Sequence, residues 1–310
     1  MPKSRLRLVI LVLSCSAAME GQSLTGRRLT DADFSASASS LNVAWAGARG
    51  MHSGLPAFDV SGLKFTAASS VALPEAPAGG SETYPSDKGN PTPGGYALRI
   101  LHDQKSLYAA PFKPANLKWD ALVLIPTGIL IAEDRHIERQ LPTGNLGKYS
   151  TISNIVIGST AGGLAATWLY GLKSGDSHAA ELGYMEIESL IDTLFVYAPM
   201  QFTLGRQRPG EGNGNGDFWR HHSLNTSFPA GHAMFTWNMA SVAAHEYPKT
   251  WVKLLAYGAA LTVTTSRFVG RDHWAGDTFA GAALGYFIGS HVFHTRCDPE
   301  LDKGCTRPKE

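Results

Sequence analysis

GRQRP (residues 205–209), FPAGH (228–232) and SRFVGRDHWAGD (266–277) follow one another between Gln201 and Asp277. Each segment places polar side chains at the end of an apolar run. Together they supply arginines, two histidines and the carboxylate of Asp277, which suits a pocket that holds a tetrahedral oxyanion and attacks it with an imidazole. The apolar runs around these segments indicate the fold class, and the polar segments indicate the chemistry.

The apolar runs predict six helices in a row. Their expected ranges are Leu117–Ile131, Thr151–Leu172, Glu186–Gly205, Pro229–Glu246, Trp251–Arg267 and Trp274–Phe293. Because no convincing strand alternation interrupts them, the predicted fold class is all-α, a six-helix bundle. The helices are rich in glycine, alanine, serine and threonine, and such small residues let helices approach closely. We expect the helical domain to cover residues 116–295, followed by a polar tail over 296–310.

The N-terminal third has a different composition. Residues 1–18 combine a basic start, an apolar run and a small-residue site, which predicts a secretory signal peptide rather than an ordinary buried helix. Cys15 only loosely resembles a lipoprotein cleavage site. Residues 19–115 are rich in proline and contain a low-complexity serine and alanine run, which predicts a long irregular or disordered arm. Short strands near Leu63–Phe65 and Tyr96–Leu101 are further expectations for this arm.

Charge and cysteine content narrow the class of protein. The net charge is +1 over 310 residues, so no basic surface indicates a nucleic-acid partner. An exported chain would reach the periplasm or cell envelope, where Cys297 and Cys305 could form a local disulfide, the alternative being two free thiols. No second cysteine or histidine pair accompanies them at zinc spacing, so no metal site is predicted.

Membrane attachment is left open by the apolar runs. A membrane span needs about 20 apolar residues. Ala121–Ala132 is too short by this measure, whereas Tyr149–Leu172 and Thr278–Thr295 approach the required length. A soluble or membrane-associated bundle is therefore preferred to a true multi-span protein, and the oligomeric state is not predicted.

The FPAGH segment predicts an anion site at the start of a helix. Pro229 suits the first position of a helix, and the amides of Ala230 and Gly231 would then lie unpaired in the first turn. The helix dipole would assist the binding of an anion there. His232 stands beside this position and could donate a proton. By itself the motif is weak, because proline-started helices with a nearby histidine are common.

The SRFVGRDHWAGD segment predicts an oriented imidazole. His273 and Asp277 are four residues apart and share a helix face if the helix begins near Asp272, which is a plausible N-cap. A carboxylate bonded to one ring nitrogen would leave the other nitrogen free to attack. A pair at this spacing is nevertheless more often an ordinary surface pair.

Arginines near the ends of two predicted helices are candidate ligands for the anion. Guanidinium groups offer forked donors that match phosphate oxygens, and Arg206, Arg208 and Arg267 are the candidates. For the first two, the alternative is a solvated helix C-terminus. The glycine-rich loop over residues 210–216 lacks the lysine and hydroxyl residue of a Walker motif and is interpreted as a mobile rim of the pocket.

In combination the three segments resemble the type 2 phosphatidic acid phosphatase and haloperoxidase superfamily. The signature of that family is Lys-x6-Arg-Pro, then Pro-Ser-Gly-His, then Ser-Arg-x5-His-x3-Asp. The chain matches Arg208-Pro209, Pro229, Gly231-His232 and the whole third motif from Ser266 to Asp277. Two positions depart from it, because Gln201 replaces the lysine and Ala230 replaces the serine. The resemblance covers about residues 116–295 and excludes the N-terminal arm.

This resemblance implies a bundle of the acid phosphatase and haloperoxidase type, and a metal-independent phosphatase that needs no cofactor. The substrate would be a phosphomonoester or a lipid-linked phosphate or pyrophosphate, and a membrane surface is a further candidate partner. His273 would be the nucleophile, Asp277 would orient it, and His232 would protonate the leaving oxygen. The expected phosphate ligands are Arg208, Arg267, Gln201, Gly231, Ala230 and Arg206.

Two other functions remain open alongside this one. The first is a vanadate-dependent haloperoxidase, since vanadate occupies the same kind of pocket in the family. The second is a non-catalytic envelope protein that binds phosphate head groups, which the two departures from the signature would favour. The retained histidines and aspartate argue against simple binding, because a binding site needs no oriented nucleophile.

Overall fold

A computed structural model of the chain describes residues 93–301 and Cys305. Seven helices occupy this part: α1 (Pro93–Ala109), α2 (Leu117–Arg139), α3 (Gly147–Ser174), α4 (Ser177–Leu204), α5 (Gly231–Glu246), α6 (Thr250–Val269) and α7 (Ala275–Arg296). Two 3-10 turns, Ala110–Phe112 and Pro114–Asn116, connect α1 to α2. The described residues contain no strand, which confirms the all-α class, and α2 to α7 are the six predicted helices.

Helix α1 was not predicted. The expectation of irregular chain, with a short strand at Tyr96–Leu101, is wrong for Pro93–Ala109. The proline-rich composition ends at Pro93, which suits the first turn of a helix, and no proline follows before Pro111. The predicted signal peptide, the lipoprotein site at Cys15 and the strand near residue 63 lie outside the described residues.

An internal ion cluster attaches α1 to the bundle. The buried carboxylate of Asp103 accepts a hydrogen bond from Arg296 and lies 3.2 Å from Nε2 of His291. Arg296 also donates through Nε to Glu188 on α4, at 2.6 Å. A buried carboxylate needs such partners, because its transfer from water costs several kcal/mol by order of magnitude. The cluster therefore ties α1, α4 and α7 together.

The centre of the bundle is the close contact between α5 and α7. Gly281, Gly285 and Gly289 recur every fourth residue along α7 and face the backbone of α5. A Cβ atom at Gly285 would lie only 2.0 Å from the carbonyl oxygen of Met234, so no larger residue fits there. Small residues thus permit the close helix approach that the sequence predicts. Around this contact α4 and α6 pack on α5, α3 packs on α4 and α6, and α2 packs on α7.

The segment after α7 is held by the predicted disulfide. Cys297 and Cys305 are bonded, with their Cα atoms 5.7 Å apart, which confirms the local pairing. Cys297 is fully buried and belongs to an apolar cluster with Leu182, Val292 and Phe293. The bond therefore fastens the C-terminal segment to the core, at the end of α7 opposite to its first residue.

Two outer helices are long and apolar enough to cross a membrane, judged by length and composition alone. They cover Pro114–Arg139 and Gly147–Ser174, and only 6 % and 11 % of their apolar windows are buried. The run Ala121–Ala132, which is too short by itself, lies within the first of these helices, because the helix continues through polar residues on both sides. Thr278–Thr295 is not one of the two candidates and lies in α7, which packs against α5 inside the bundle.

Candidate active site

The site forms where four helix ends meet. α4 and α6 end beside the first residues of α5 and α7, and the loop between α4 and α5 returns to the same place. Gly205 allows the sharp exit from α4, with a φ angle of 49° and the carbonyl oxygen of His221 only 1.9 Å from where a Cβ would lie. The antiparallel order of the helices thus gathers three sequence segments that are far apart in the chain.

His273 presents one free ring nitrogen to this site. Its Nδ1 lies 2.8 Å from the backbone carbonyl oxygen of Ser227, and the ring is almost fully buried. Because a carbonyl can only accept, Nδ1 carries the proton and Nε2 keeps its lone pair. Burial lowers the pKa of His273 well below its usual value, and the nearby charge of Arg208 lowers it further. The imidazole is therefore neutral and has the tautomer of a nucleophile.

The predicted contact between Asp277 and His273 is wrong. The fully buried Asp277 carboxylate accepts hydrogen bonds from Arg206 at 2.5 Å, from the Ser227 hydroxyl, and from the Trp274 amide at 3.3 Å. Helix α7 begins at Ala275 and not near residue 272, so the histidine precedes the helix and shares no face with the aspartate. Burial raises the pKa of Asp277 to about 6, against the opposing effect of the arginine.

His232 lies in the first turn of α5 and contacts Arg267. Nη2 of the arginine lies 2.6 Å from Nε2 of the histidine. A guanidinium only donates, so this Nε2 is an acceptor and the imidazole is neutral. Burial, followed by the charges of Arg267 and Arg208, lowers the pKa of His232 to about 3.

Arg267 is held in place by residues of α3 that the sequence analysis missed. It donates to the Ser153 hydroxyl at 2.7 Å and to the side-chain oxygen of Asn154. It also bonds to Asp272 at 3.1 Å, so that aspartate is not the predicted N-cap. Ser153 and Asn154 lie more than a hundred residues from Arg267 in sequence, and no motif spacing marks them.

One nitrogen of the Arg208 guanidinium group has no hydrogen-bond partner among the described residues. Its Nη2 donates to Asn225 at 2.7 Å, and its backbone amide donates to Glu211. Its Nε is buried and makes no hydrogen bond with any part of the chain that the structure describes. The charge of Arg208 lowers the pKa of both His232 and His273.

Gln201 and Ala230 do not contact the pocket as predicted. The fully buried Gln201 donates to the carbonyl of Pro229 at 2.7 Å and accepts from the amide and hydroxyl of Thr226. Helix α5 begins at Gly231, and the amide of Ala230 donates to the backbone carbonyl of Asp277 at 3.1 Å. Both groups are occupied, because buried polar groups need partners. Only the amides from Gly231 onward lie in the first turn without an intrahelical acceptor.

Arg206, which was predicted to bind phosphate, contacts two buried carboxylates in the interior. It is 2 % exposed and bridges Asp134 on α2, at 2.9 Å, to Asp277. Its guanidinium carbon also lies 4.9 Å from the ring centre of Phe218 and 5.2 Å from that of Trp274. Two carboxylates and two aromatic rings therefore surround the cation.

The arrangement can bind an anion and attack it. Five of the predicted residues come together at the site, namely His232, His273, Arg208, Arg267 and Gly231. The other four are buried in the interior, namely Gln201, Ala230, Arg206 and Asp277. Two cations face two neutral imidazoles, one of which has a free Nε2. Among the described residues no cluster of three or more histidine, cysteine, aspartate or glutamate side chains could hold a metal ion.

A comparison with known families agrees with this geometry. The model of the PAP2 superfamily matches residues 187–298. No curated protein and no solved structure is significantly similar to the chain. The matched range contains both histidines and both arginines of the site, and an activity of the phosphatase type is characteristic of the superfamily. Residues 187–298 therefore match the PAP2 superfamily, the type 2 phosphatidic acid phosphatase superfamily that the three segments resemble.

Proposed function

We propose that the protein hydrolyses phosphomonoesters or lipid-linked phosphates and pyrophosphates through a phosphohistidine intermediate. The observation that carries this proposal is the neutral His273, whose Nδ1 is bonded to a carbonyl and whose Nε2 is left to attack. A protein that only bound phosphate would gain nothing from a nucleophile in this tautomer.

Arg208 and Arg267 are the proposed phosphate ligands, together with the amide of Gly231. A buried donor without an acceptor is unfavourable by about 1–3 kcal/mol, and the Nε of Arg208 is such a donor within the described residues. A phosphate oxygen would satisfy it with a charge-assisted hydrogen bond. The positive end of the α5 dipole would add to the attraction.

The proposed reaction has two displacements at phosphorus. Nε2 of His273 attacks, a phosphorus–nitrogen bond forms, and the ester oxygen leaves with a proton from His232. Water then attacks the phosphohistidine while His232 takes the proton from that water. The phosphorus–nitrogen bond breaks, inorganic phosphate departs, and both histidines return to their starting forms.

Binding of an anion should raise the pKa of His232 and favour its protonated form. Burial and the charges of the two arginines lower the pKa of His232 to about 3. A bound dianion would offset the arginine charges and draw Arg267 toward an oxygen, so the pKa of His232 would rise in the complex. At any pH between the pKa of His232 in the free protein and its pKa in the complex, the complex holds one more proton than the free protein. The anion therefore binds more tightly as pH falls through this interval.

Sulfate is the probe for this linkage, because it stays a dianion throughout the useful pH range. We expect the sulfate dissociation constant to be constant near neutral pH and to fall on acidification, by at most about tenfold per pH unit. The measurement is sulfate binding by calorimetry between pH 4.5 and 8 in the native protein and in His232→Asn. The variant retains Asp277, so a pH dependence that survives in it would assign the proton elsewhere.

A lipid-linked substrate is favoured over a small soluble ester by the outer surface of the bundle. Large apolar side chains of α2 and α3, among them Leu124, Ile129 and Ile155, are 60–67 % exposed. Exposed apolar side chains on helices of this length are typical of contact with a membrane. We also propose export to the periplasm or cell envelope, which the Cys297–Cys305 disulfide favours, and which fractionation of cells would test.

The test of the proposed function is phosphate release in excess EDTA from p-nitrophenyl phosphate and from a short-chain phosphatidate. EDTA-resistant release would support the histidine mechanism, and a higher kcat/KM for the phosphatidate would support a lipid substrate. Release that EDTA abolishes, or no release from either compound, would contradict the metal-independent phosphatase.

A further inference from the structure

We propose that Thr226–Pro229, called here the orienting segment, positions the His273 imidazole in place of a direct bond from Asp277. The proposal rests on the proposed function in one respect, which is that His273 is the nucleophile. The segment supplies the carbonyl of Ser227, the only hydrogen-bond partner of the His273 ring among the described residues. Whatever fixes this segment therefore fixes the direction of the free Nε2.

Gln201 holds the orienting segment from the side of α4. Its amide nitrogen donates to the Pro229 carbonyl at 2.7 Å, and its oxygen accepts from the Thr226 amide at 2.6 Å and the Thr226 hydroxyl at 2.7 Å. A single neutral side chain thus bonds both ends of the segment. A lysine at this position could donate but not accept, and it would leave the Thr226 amide without its partner.

Asp277 holds the same segment from the side of α7. It accepts from the Ser227 hydroxyl and is itself held by Arg206, which in turn bonds to Asp134 on α2. All four side chains are buried. The orientation of His273 is therefore set through a chain of contacts, in which Ser227, Arg206 and Asp134 are positioning residues that the signature motifs do not include.

The peptide carbonyl and the hydroxyl of Ser227 have separate tasks in this arrangement. The carbonyl receives Nδ1–H of His273, whereas the hydroxyl anchors the residue to Asp277. Replacing Ser227 with alanine removes the anchor and leaves the carbonyl in the chain. The imidazole would then be bonded to a less constrained acceptor, and the Nε2 lone pair would be directed less well at phosphorus.

The test compares Ser227→Ala with Ser241→Ala. Ser241 is a matched control, since it is also fully buried and its hydroxyl donates to a backbone carbonyl, that of Tyr286, away from the site. We expect Ser227→Ala to lower kcat about 10- to 100-fold, with the inhibition constant of inorganic phosphate changed less than about twofold. The Ser241→Ala protein should keep both values, and the two variants should have similar thermal stability.

If Ser227 only stabilised the fold, Ser227→Ala would change a different set of measured values. If Ser227→Ala retained kcat, or if phosphate affinity and thermal stability fell together with kcat, the positioning proposal would be overturned. If the unmodified protein released no phosphate, the proposed function would fail instead. The orientation would then be measured by ¹⁵N NMR of the His273 ring, with a single Nδ1–H tautomer expected in the unmodified protein and a mixture in Ser227→Ala. An unchanged tautomer would overturn the proposal.

Discussion

Replacing His273 with alanine should reduce phosphomonoester turnover by at least about 10⁴-fold, because loss of a nucleophile removes the covalent route altogether. Inorganic phosphate should still bind, since its proposed ligands are Arg208, Arg267 and the start of α5. The measurement is steady-state release together with phosphate binding by calorimetry. Burial and the nearby arginine keep the pKa of His273 well below its usual value, so protonation will not mask the nucleophile at neutral pH.

The control for this experiment is His136→Ala, which changes an exposed histidine on α2 that has no place in the proposed site. Brief incubation with ³²P-labelled substrate, followed by an alkaline quench, should leave label on the unmodified protein and on the control but none on His273→Ala. Substantial turnover by His273→Ala, or label that persists in it, would assign the nucleophile to another residue.

The largest effect on stability is expected from Arg206→Met. The substitution leaves Asp134 and Asp277 buried without their cation, and removing one partner of a buried ion pair costs about 3–5 kcal/mol. Methionine roughly fills the space between the rings of Phe218 and Trp274, so a cavity should contribute little. The free energy of unfolding in urea, measured near pH 7.5, where Asp277 would be ionised, is the quantity to compare.

Arg220→Met serves as the matched control, because Arg220 lies in the same loop with its side chain 60 % exposed and a single partner at 3.3 Å. Its unfolding free energy should change by no more than about 0.5 kcal/mol. Adding Asp134→Asn to Arg206→Met should recover part of the loss, since one uncompensated carboxylate is removed. Equal losses for the two arginine substitutions would mean that the buried pairs do not support the fold.

The helices were predictable because apolar periodicity and turn residues are local signals. α2 to α7 lie where the apolar runs are, with ends that differ by several residues, as at α4, which begins at Ser177 and not at Glu186. α1 was missed because prolines on both sides concealed a short proline-free interval. The disulfide was predictable from two nearby cysteines in a chain expected to be exported.

The candidate site was predictable only in part. Motif spacing predicted His232, His273, Arg208 and Arg267 as one group, and in the structure the charges of the two arginines lower the pKa of both histidines. It did not reveal Ser153 and Asn154, which hold Arg267 from another helix.

By itself, the sequence determined that the part of the chain described by the structure is all-α and that three of its segments resemble the PAP2 superfamily. Only the tertiary structure decided which polar side chains face the pocket and which support it from behind. Arg206 and Asp134 are 72 residues apart, and Gln201 and Thr226 are 25 apart, yet each pair is buried and bonded. A buried polar group must find a partner wherever folding brings one. The roles of Gln201, Arg206 and Asp277 therefore depend on neighbours that sequence spacing does not reveal.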